Sequence, residues 1–333
     1  MIRFGIVGCG NIGRRHAAIL SNLEGASLTA ICDNNEASLN SVSNNYMRKF
    51  SSLDDLIAYN DLDIINICTP HHLHKEMAIK AMRKGLHVLV EKPMALTSAD
   101  AQEMINCASE NDRKLFVVKQ NRFNVPVSLV DQLIKDNALG IIYEVHCNVF
   151  WNRNIEYYSQ SDWRGKKATE GGALYTQASH FIDLLIWWFG ELTESKAYLK
   201  NYFQPIEFED SGNAVLKFDT GVSGTLSWTT CVYDKNYEGS ITIIAEKGTI
   251  KIGGPYLNKV EFWNVKSHPL PEDIIFNDKP NSYGKYQGTS SNHDRVFQEV
   301  IKDLEGKPGL VVEGFEGIRS INAIEKIYQS AST

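Results

Sequence analysis

The sequence predicts a two-domain α/β protein: a doubly wound parallel sheet at the N-terminus, then an α+β domain on one large, open, mainly antiparallel sheet. Three observations carry this. Short apolar runs alternate with helical periodicity through residues 1–120, the glycine turn Gly8-Cys9-Gly10-Asn11-Ile12-Gly13 joins the first run to the first helix, and after Phe123 strand-like runs follow one another at hairpin spacing.

Taken in order, residues 2–7 read as a buried strand and 14–23 repeat apolar residues at helical spacing. A second strand, 27–32, ends at Asp33, and the polar stretch through Leu53 and Ile57 is helical. Strands at 64–68 and 88–90 alternate with helices at 75–84 and 98–111. Beyond that, strand-like runs occupy 141–151, 194–203, 212–218, 222–230, 240–245 and 259–263. Asp219-Thr220-Gly221 and Glu246-Lys247-Gly248 are turn signals between runs, and a helix is expected at 295–304. The change of rhythm near 118–123 divides the chain into domains 1–120 and 121–333.

The chain has 333 residues, 43% of them hydrophobic, and a formal net charge of −6. Two domains of ~100–200 residues bury enough surface to need neither disulfides nor a structural metal. Dispersed Lys and Arg under an acidic balance exclude an extended nucleic-acid face, although one pocket can still hold a small anion. The six cysteines form no CxxC pair, which suits reduced thiols and a cytoplasmic location. The opening MIRFGIVGCG reads as a strand, with neither a signal-peptide pattern nor the ~18 continuous apolar residues of a membrane span.

In the GxGxxG pattern Gly8 makes a tight turn, Gly10 lets a pyrophosphate approach the backbone, and Gly13 permits close helix packing, with Asn11 and Ile12 opening the helix. The pattern alone is common; here it follows a strand, opens a helix and precedes Asp33 at about the dinucleotide-binding interval. A carboxylate at Asp33 can accept from both ribose hydroxyls and repels a 2′-phosphate, so NAD is expected rather than NADP. A plain turn aspartate is the alternative.

Thr69-Pro70-His71-His72-Leu73-His74 and Glu91-Lys92-Pro93, each following a strand, resemble motifs of the Gfo/Idh/MocA family of sugar and polyol dehydrogenases. The resemblance implies a Rossmann domain, an open-sheet second domain and the nicotinamide cofactor between them, with Thr69, Pro70 and His74 near that cofactor. Lys92 precedes proline and so is extended, which lets its ammonium reach a reacting hydroxyl; Glu91 can hold a ribose or the lysine. The histidines at 71, 72 and 74 lack an acidic or thiolate ligand at useful spacing, so no metal is expected.

Gly171 to His180 resembles the family's second-domain helix, whose catalytic histidine falls at His180. Thr176 and Asp183 lie at helical spacing from it. Many members carry aspartate where this chain has Thr176, and threonine cannot charge the histidine; without the family, a buried core residue is the favoured reading of His180. The departure resembles one branch, the WlbA/WbpB-type 3-dehydrogenases of UDP-2-acetamido-2-deoxy-glucuronate. That likeness extends over Gln120-Asn121-Arg122-Phe123, Phe150-Trp151-Asn152-Arg153, Tyr157-Tyr158, Trp163-Arg164-Gly165, Thr176-Gln177-Ala178-Ser179-His180 and the run from Tyr286 to His293.

Arg122 and Arg153 suit a substrate carboxylate, Tyr157 and Tyr158 a sugar or uracil ring, and Ser290-Ser291-Asn292 a diphosphate. The resemblance puts Gln120, Trp163 and Arg164 at the cofactor and Thr176 and Gln177 at the sugar. It implies NAD-dependent oxidation at C3, with Lys92 or His180 as the base, a UDP-sugar substrate and NADH recycled by 2-oxoglutarate. Another sugar or inositol dehydrogenase, an NAD-dependent glycoside hydrolase and a non-catalytic NAD sensor are the alternatives. The open sheet calls for a covering, so a homodimer or homotetramer is expected.

Overall fold

The computed structural model describes residues 1–42, 47–276, 280–282 and 287–332, of which 280–282, 287–290 and 332 as backbone only. The chain forms two compact units, Met1–Lys119 with His293–Ile321, and Gln120–Asn292 with Asn322–Thr333.

The first unit begins β1 (Ile2–Val7), α1 (Asn11–Leu20), β2 (Ala26–Cys32), α2 (Glu36–Asn40), β3 (Arg48–Phe50) and α3 (Leu53–Ile57). It continues β4 (Ile64–Ile67), α4 (His74–Arg83), β5 (His87–Val90), α5 (Ser98–Glu110) and β6 (Leu115–Val117). The strands pair in parallel in the order β3-β2-β1-β4-β5-β6. The order reverses between β1 and β4, so the turns after these strands stand at the switch point where such sheets bind ligands. β4 and β6 are buried at every residue, as strands covered on both faces must be. Asn35, Ser52 and Thr97 cap α2, α3 and α5 by accepting a backbone N–H one turn on, which sets where those helices start.

The second unit contains α6 (Val125–Lys135), β7 (Ile142–Phe150), α7 (Ile155–Tyr158), α8 (Lys167–Glu170), α9 (Ser179–Phe189) and β8 (Leu192–Lys200). There follow β9 (Ser211–Phe218), β10 (Ser223–Thr229), β11 (Glu238–Ala245), β12 (Gly248–Gly253), β13 (Lys259–Val265), β14 (Pro280–Ser282) and β15 (Gln287–Ser290). The large sheet runs β13-β12-β11-β7-β10-β9-β8 and ends on the short strand β16 (Ala331–Ser332). All neighbours are antiparallel except β7 with β10 and β8 with β16. One face is apolar, through Val145, Cys147, Leu226, Leu216, Ile241 and Ile250; the other leaves Tyr198, Val215 and Phe262 at least half exposed.

Two helices complete the chain, α10 (His293–Leu304) and α11 (Gly314–Gln329). The expected second domain, 121–333, includes α10, but the structure packs it with the first unit. The reason is apolar and specific: buried Phe297 meets Phe4 edge-on at 5.7 Å and His16 at 5.1 Å, and Asp303 pairs with Lys114. β3, β6, α6, α7, α8, β12, β14, β15, α11 and β16 also went unmarked by periodicity, and β12 follows β11 after only the Glu246-Lys247 turn.

Candidate active site

The candidate nucleotide site of the first unit is built by the turns after β1 and β2. Gly8 has φ +92°, and a Cβ there would stand 2.7 Å from the Cys68 carbonyl carbon, so only glycine fits. A Cβ on Gly13 would overlap the Gly8 carbonyl oxygen. A Cβ on Gly10 would meet nothing within 4 Å, so this glycine faces open space. The first helical bond runs from Arg14 N–H to Gly10 C=O at 3.0 Å, and no side chain caps α1. The amides of Asn11, Ile12 and Gly13 therefore have no acceptor inside the helix, the arrangement that suits a phosphate. Asp33 accepts from Cys9 N–H at 2.7 Å and from Asn35 N–H at 2.8 Å, one bond to each oxygen. A carboxylate has about four lone-pair sites, so both oxygens keep capacity for ribose hydroxyls.

Thr69 and Pro70 follow β4, and Glu91 and half-buried Lys92 follow β5, with a cis peptide between Lys92 and Pro93. His74 is fully buried, with Nδ1 2.9 Å from Pro93 O and Nε2 2.9 Å from Thr69 O. Burial pushes its pKa down, toward a neutral ring with one N–H to donate. His74 thus packs between the turns after β4 and β5, its single N–H given to one of the two carbonyls.

Glu91 is buried, and its Oε2 accepts Lys92 N–H at 3.1 Å. Its Oε1 lies 3.3 Å from His16 Nε2 and 4.0 Å from His293 Nε2. Desolvation raises the Glu91 carboxyl pKa and lowers that of both imidazoles. Sequence reading weighed His71, His72 and His74 for a metal; among the described residues the group able to converge on an ion is His16, Glu91 and His293. No linear spacing marks it, because its members sit on α1, after β5 and at the start of α10.

In the second unit, Gly171 (φ +94°) and Gly172 (φ +151°) break the chain before a π-helical turn, Leu174–Ala178, that runs into α9. The expected regular helix through His180 is thus interrupted, a distortion frequent at functional sites. Thr176 Oγ1 bonds back to Gly172 O at 3.2 Å. Buried His180 meets Gln120 Nε2 through its own Nε2 at 3.1 Å. An amide stands there, and Gln120, expected at the cofactor, orients the histidine ring.

Gln177 joins Arg153 Nε to its Oε1 at 2.8 Å and donates to the Tyr157 hydroxyl at 3.1 Å. Arg153, 3% exposed, also donates to Asn236 Oδ1 at 3.0 Å and lies over the rings of Trp151 and Tyr157. Arg164 covers Tyr157 at 4.0 Å and donates to its carbonyl, beside half-buried Trp163. Tyr157 and Tyr158 meet edge-on at 5.0 Å and are both buried, so they form packed walls where open stacking faces were expected. Burial pushes the Tyr158 hydroxyl far above its ordinary pKa.

Arg122 needs a correction. Its fork is occupied by Asp183, at 2.8 and 2.9 Å, and it stacks on Trp187 at 4.6 Å. Expected to bind a substrate carboxylate, it has found an internal one, and Asp183 faces this arginine. Asn292 donates to Asn124 Oδ1 at 2.7 Å, Ser291 is half-buried, and the side chains of Ser290 and Tyr286 lie outside the described residues.

The π turn is held from behind. The Tyr328 hydroxyl donates to Glu209 Oε1 at 2.7 Å and accepts from Leu174 N–H at 3.2 Å, while Trp228 Nε1 reaches the same Oε1 at 3.3 Å. Burial pushes the Glu209 carboxyl up to about 7 against the opposing pull of these donors. A carboxyl raised on folding stabilises the fold below its unfolded pKa of about 4.5, and this contribution is lost as pH rises through about 7. Glu209→Gln should therefore remove about 3 kcal/mol of stability change between those limits, read by urea unfolding at pH 4.5 and 8. A variant that declines over this range as steeply as the parent contradicts the assignment.

Residues 2–119 match the family described as "Oxidoreductase family, NAD-binding Rossmann fold", and residues 127–251 the GFO/IDH/MocA C-terminal domain. The chain is 37% identical to the WlbA dehydrogenase of Bordetella pertussis, solved with NADH and UDP-GlcNAcA, over 99% of this chain and 96% of that one, with a TM-score of 0.88. The chain belongs to the Gfo/Idh/MocA oxidoreductase family. It is likewise 36% identical to the WlbA dehydrogenase of Chromobacterium violaceum, solved with the same two ligands, covering 99% and 93% of the chains at a TM-score of 0.90. Glucose-6-phosphate 3-dehydrogenase of Bacillus subtilis is 28% identical over 100% of this chain and 97% of its own length.

As a Gfo/Idh/MocA oxidoreductase the chain binds NAD, and the open face of Gly10, the uncapped start of α1 and the placement of Asp33 all fit that cofactor. Asp33→Ser should raise the use of NADP relative to NAD by about tenfold or more, the size of one charge-assisted hydrogen bond. Steady-state kcat/KM with each cofactor measures this, and an unchanged ratio removes Asp33 from cofactor choice. Among the described residues, no helix is long and apolar enough to cross a membrane.

Proposed function

We propose that this dehydrogenase oxidises the 3-hydroxyl of UDP-2-acetamido-2-deoxy-D-glucuronate to the 3-keto sugar nucleotide. The observation that carries the reading is 37% identity over 99% of the chain to a dehydrogenase solved with NADH and UDP-GlcNAcA. The motifs from Gln120 to His180 support it.

NAD, held by the amides of Asn11, Ile12 and Gly13 and by Asp33, supplies the hydride acceptor. Lys92 takes the proton of the 3-hydroxyl and, as ammonium, stabilises charge on that oxygen. His180, oriented by Gln120 at 3.1 Å, assists. Arg153 supplies a cation to the uronate, held by Gln177 at 2.8 Å and over Tyr157, while Thr176 and Gln177 position the sugar. 2-Oxoglutarate would serve as the external oxidant, its 2-oxo group taking the hydride and a proton to leave as the 2-hydroxy acid. The exposed sheet face bearing Tyr198, Val215 and Phe262 associates with its copy in a homodimer or homotetramer.

A panel of UDP-GlcNAcA, UDP-GlcNAc, glucose 6-phosphate, inositol and free glucose, each with and without 2-oxoglutarate and scored for NADH, tests the reading. UDP-GlcNAcA should reduce NAD best, with 2-oxoglutarate extending turnover. Equal or better use of glucose 6-phosphate or a free polyol overturns the substrate, and free sugar released without net NADH indicates hydrolysis.

A further inference from the structure

His16, Glu91 and His293 converge in the first unit, and the reaction proposed above leaves both histidines without a role. We propose that His16 and His293 clamp the Glu91 carboxyl and so hold the Glu91-Lys92 turn, making His293 a positioning residue for Lys92. The proposal rests on the reading of Lys92 as the group that takes the hydroxyl proton.

The hydrogen positions around His16 follow from its neighbours. Asn66 Nδ2 lies 2.8 Å from His16 Nδ1 and Cys68 Sγ 3.3 Å from it. Burial keeps the Cys68 thiol protonated, so both neighbours are donors and Nδ1 must accept. The proton of the neutral ring then sits on Nε2, 3.3 Å from Glu91 Oε1. The other carboxylate oxygen takes the Lys92 backbone N–H at 3.1 Å. The Glu91 side chain is therefore hydrogen-bonded to the peptide of the lysine itself through Oε2, while Oε1 lies against His16 of α1 without hydrogen-bond geometry.

His293 closes the opposite side. Its Nε2 is 4.0 Å from Glu91 Oε1, its ring lies 5.0 Å from that of His16, and Phe297, one turn on in α10, stands edge-on to His16 at 5.1 Å. The two histidines are at most 1% exposed and Glu91 is 8% exposed, so solvent cannot take over either contact. Glu91 Oε1 makes no hydrogen bond to either ring, so the rings confine the carboxyl by packing; deleting one opens space beside it, and the turn carrying Lys92 is free to move. A shift of ~1 Å in a reacting group can lower a rate by about 10²-fold.

The same atoms suit a bound ion less well. They lie within 4.8 Å of one another, whereas three ligands each at ~2.0–2.2 Å from zinc must stand closer, and the Nε2 proton of His16 would have to leave. The test nevertheless includes that outcome.

His293→Leu removes the clamp and His293→Gln keeps an amide near the position of Nε2. Full-length variants are assayed with NAD and UDP-GlcNAcA. Separately, acetylation of Lys92 by acetic anhydride across pH is followed by peptide mass spectrometry, which reads the lysine without turnover. The leucine variant should lose about 10–100-fold in kcat with little change in KM for NAD, and its Lys92 acetylation profile should depart from the parent's. The glutamine variant should recover most of both.

Parental kcat and acetylation in the leucine variant overturn the proposal, as does a glutamine variant no better than the leucine one. Stoichiometric zinc in the purified parent protein by elemental analysis also overturns it. An altered acetylation profile with unchanged kcat leaves the clamp standing and removes Lys92 from proton transfer instead. If the leucine variant does not fold, His293→Asn decides: its shorter amide withdraws from Glu91, so parental kcat and acetylation there overturn the clamp.

Discussion

Lys92→Met lowers kcat for NAD reduction by about 10²–10⁴-fold, the range expected when a positioned proton acceptor is lost. Methionine keeps much of the apolar stem of this half-buried side chain, and the Lys92 backbone N–H to Glu91 Oε2 remains available. The turn after β5 therefore stays in place and the terminal amino group alone is removed. NADH affinity, read by fluorescence titration, should change little, because the amides of Asn11, Ile12 and Gly13 and the Asp33 carboxylate are untouched. A variant retaining parental turnover would mean that Lys92 carries no chemistry and would pass the proton-acceptor role to another group, His180 first.

Gly13→Ala and Gly10→Ala should separate the two demands on the glycine turn. At Gly13 the new methyl overlaps the Gly8 carbonyl oxygen, which belongs to backbone and cannot swing aside. Forcing α1 away from that turn should cost about 1–3 kcal/mol or more and abolish measurable NADH binding. At Gly10 the new methyl meets nothing within 4 Å and the backbone has φ −68°, ordinary for alanine. That variant should unfold at the parental temperature yet bind NADH weakly, because its methyl stands where the cofactor's phosphates approach. Thermal unfolding with and without NADH reads both outcomes, and equal destabilisation of the two variants would contradict the distinction.

Much of the first unit was legible because its signals are local. A fully covered parallel strand must be apolar along its length, as β4 is, and a glycine at positive φ must lie where the chain turns, as Gly8 does. The alternation of strand and helix then selects the parallel sheet. The second unit was harder to read where elements were short or where the order of strands mattered. β7 lies in parallel beside β10, across intervening chain that includes α9, and no hairpin signal shows that pairing.

The candidate site divides along the same line. Lys92, His180, Arg153 and Gln177 could be picked out one by one as residues able to do chemistry, but their partners could not. Whether an arginine holds a substrate or a neighbour depends on which carboxylate the fold brings to its fork, and Asp183 reaches Arg122 from another element at 2.8 Å. The π turn ahead of α9 depends in turn on Tyr328 and Glu209, both remote in the chain.

By itself the sequence determined the parallel sheet, the nucleotide turn and the identity of the acidic residue after the second strand, because each follows from contacts within a few residues. Only the tertiary structure decided that α10 joins the first unit, that His293 meets Glu91 and that Gln120 orients His180. These are choices among many chemically equivalent partners, made by burial: a polar group removed from water must take whichever complementary group the packing delivers, and packing is a property of the whole chain.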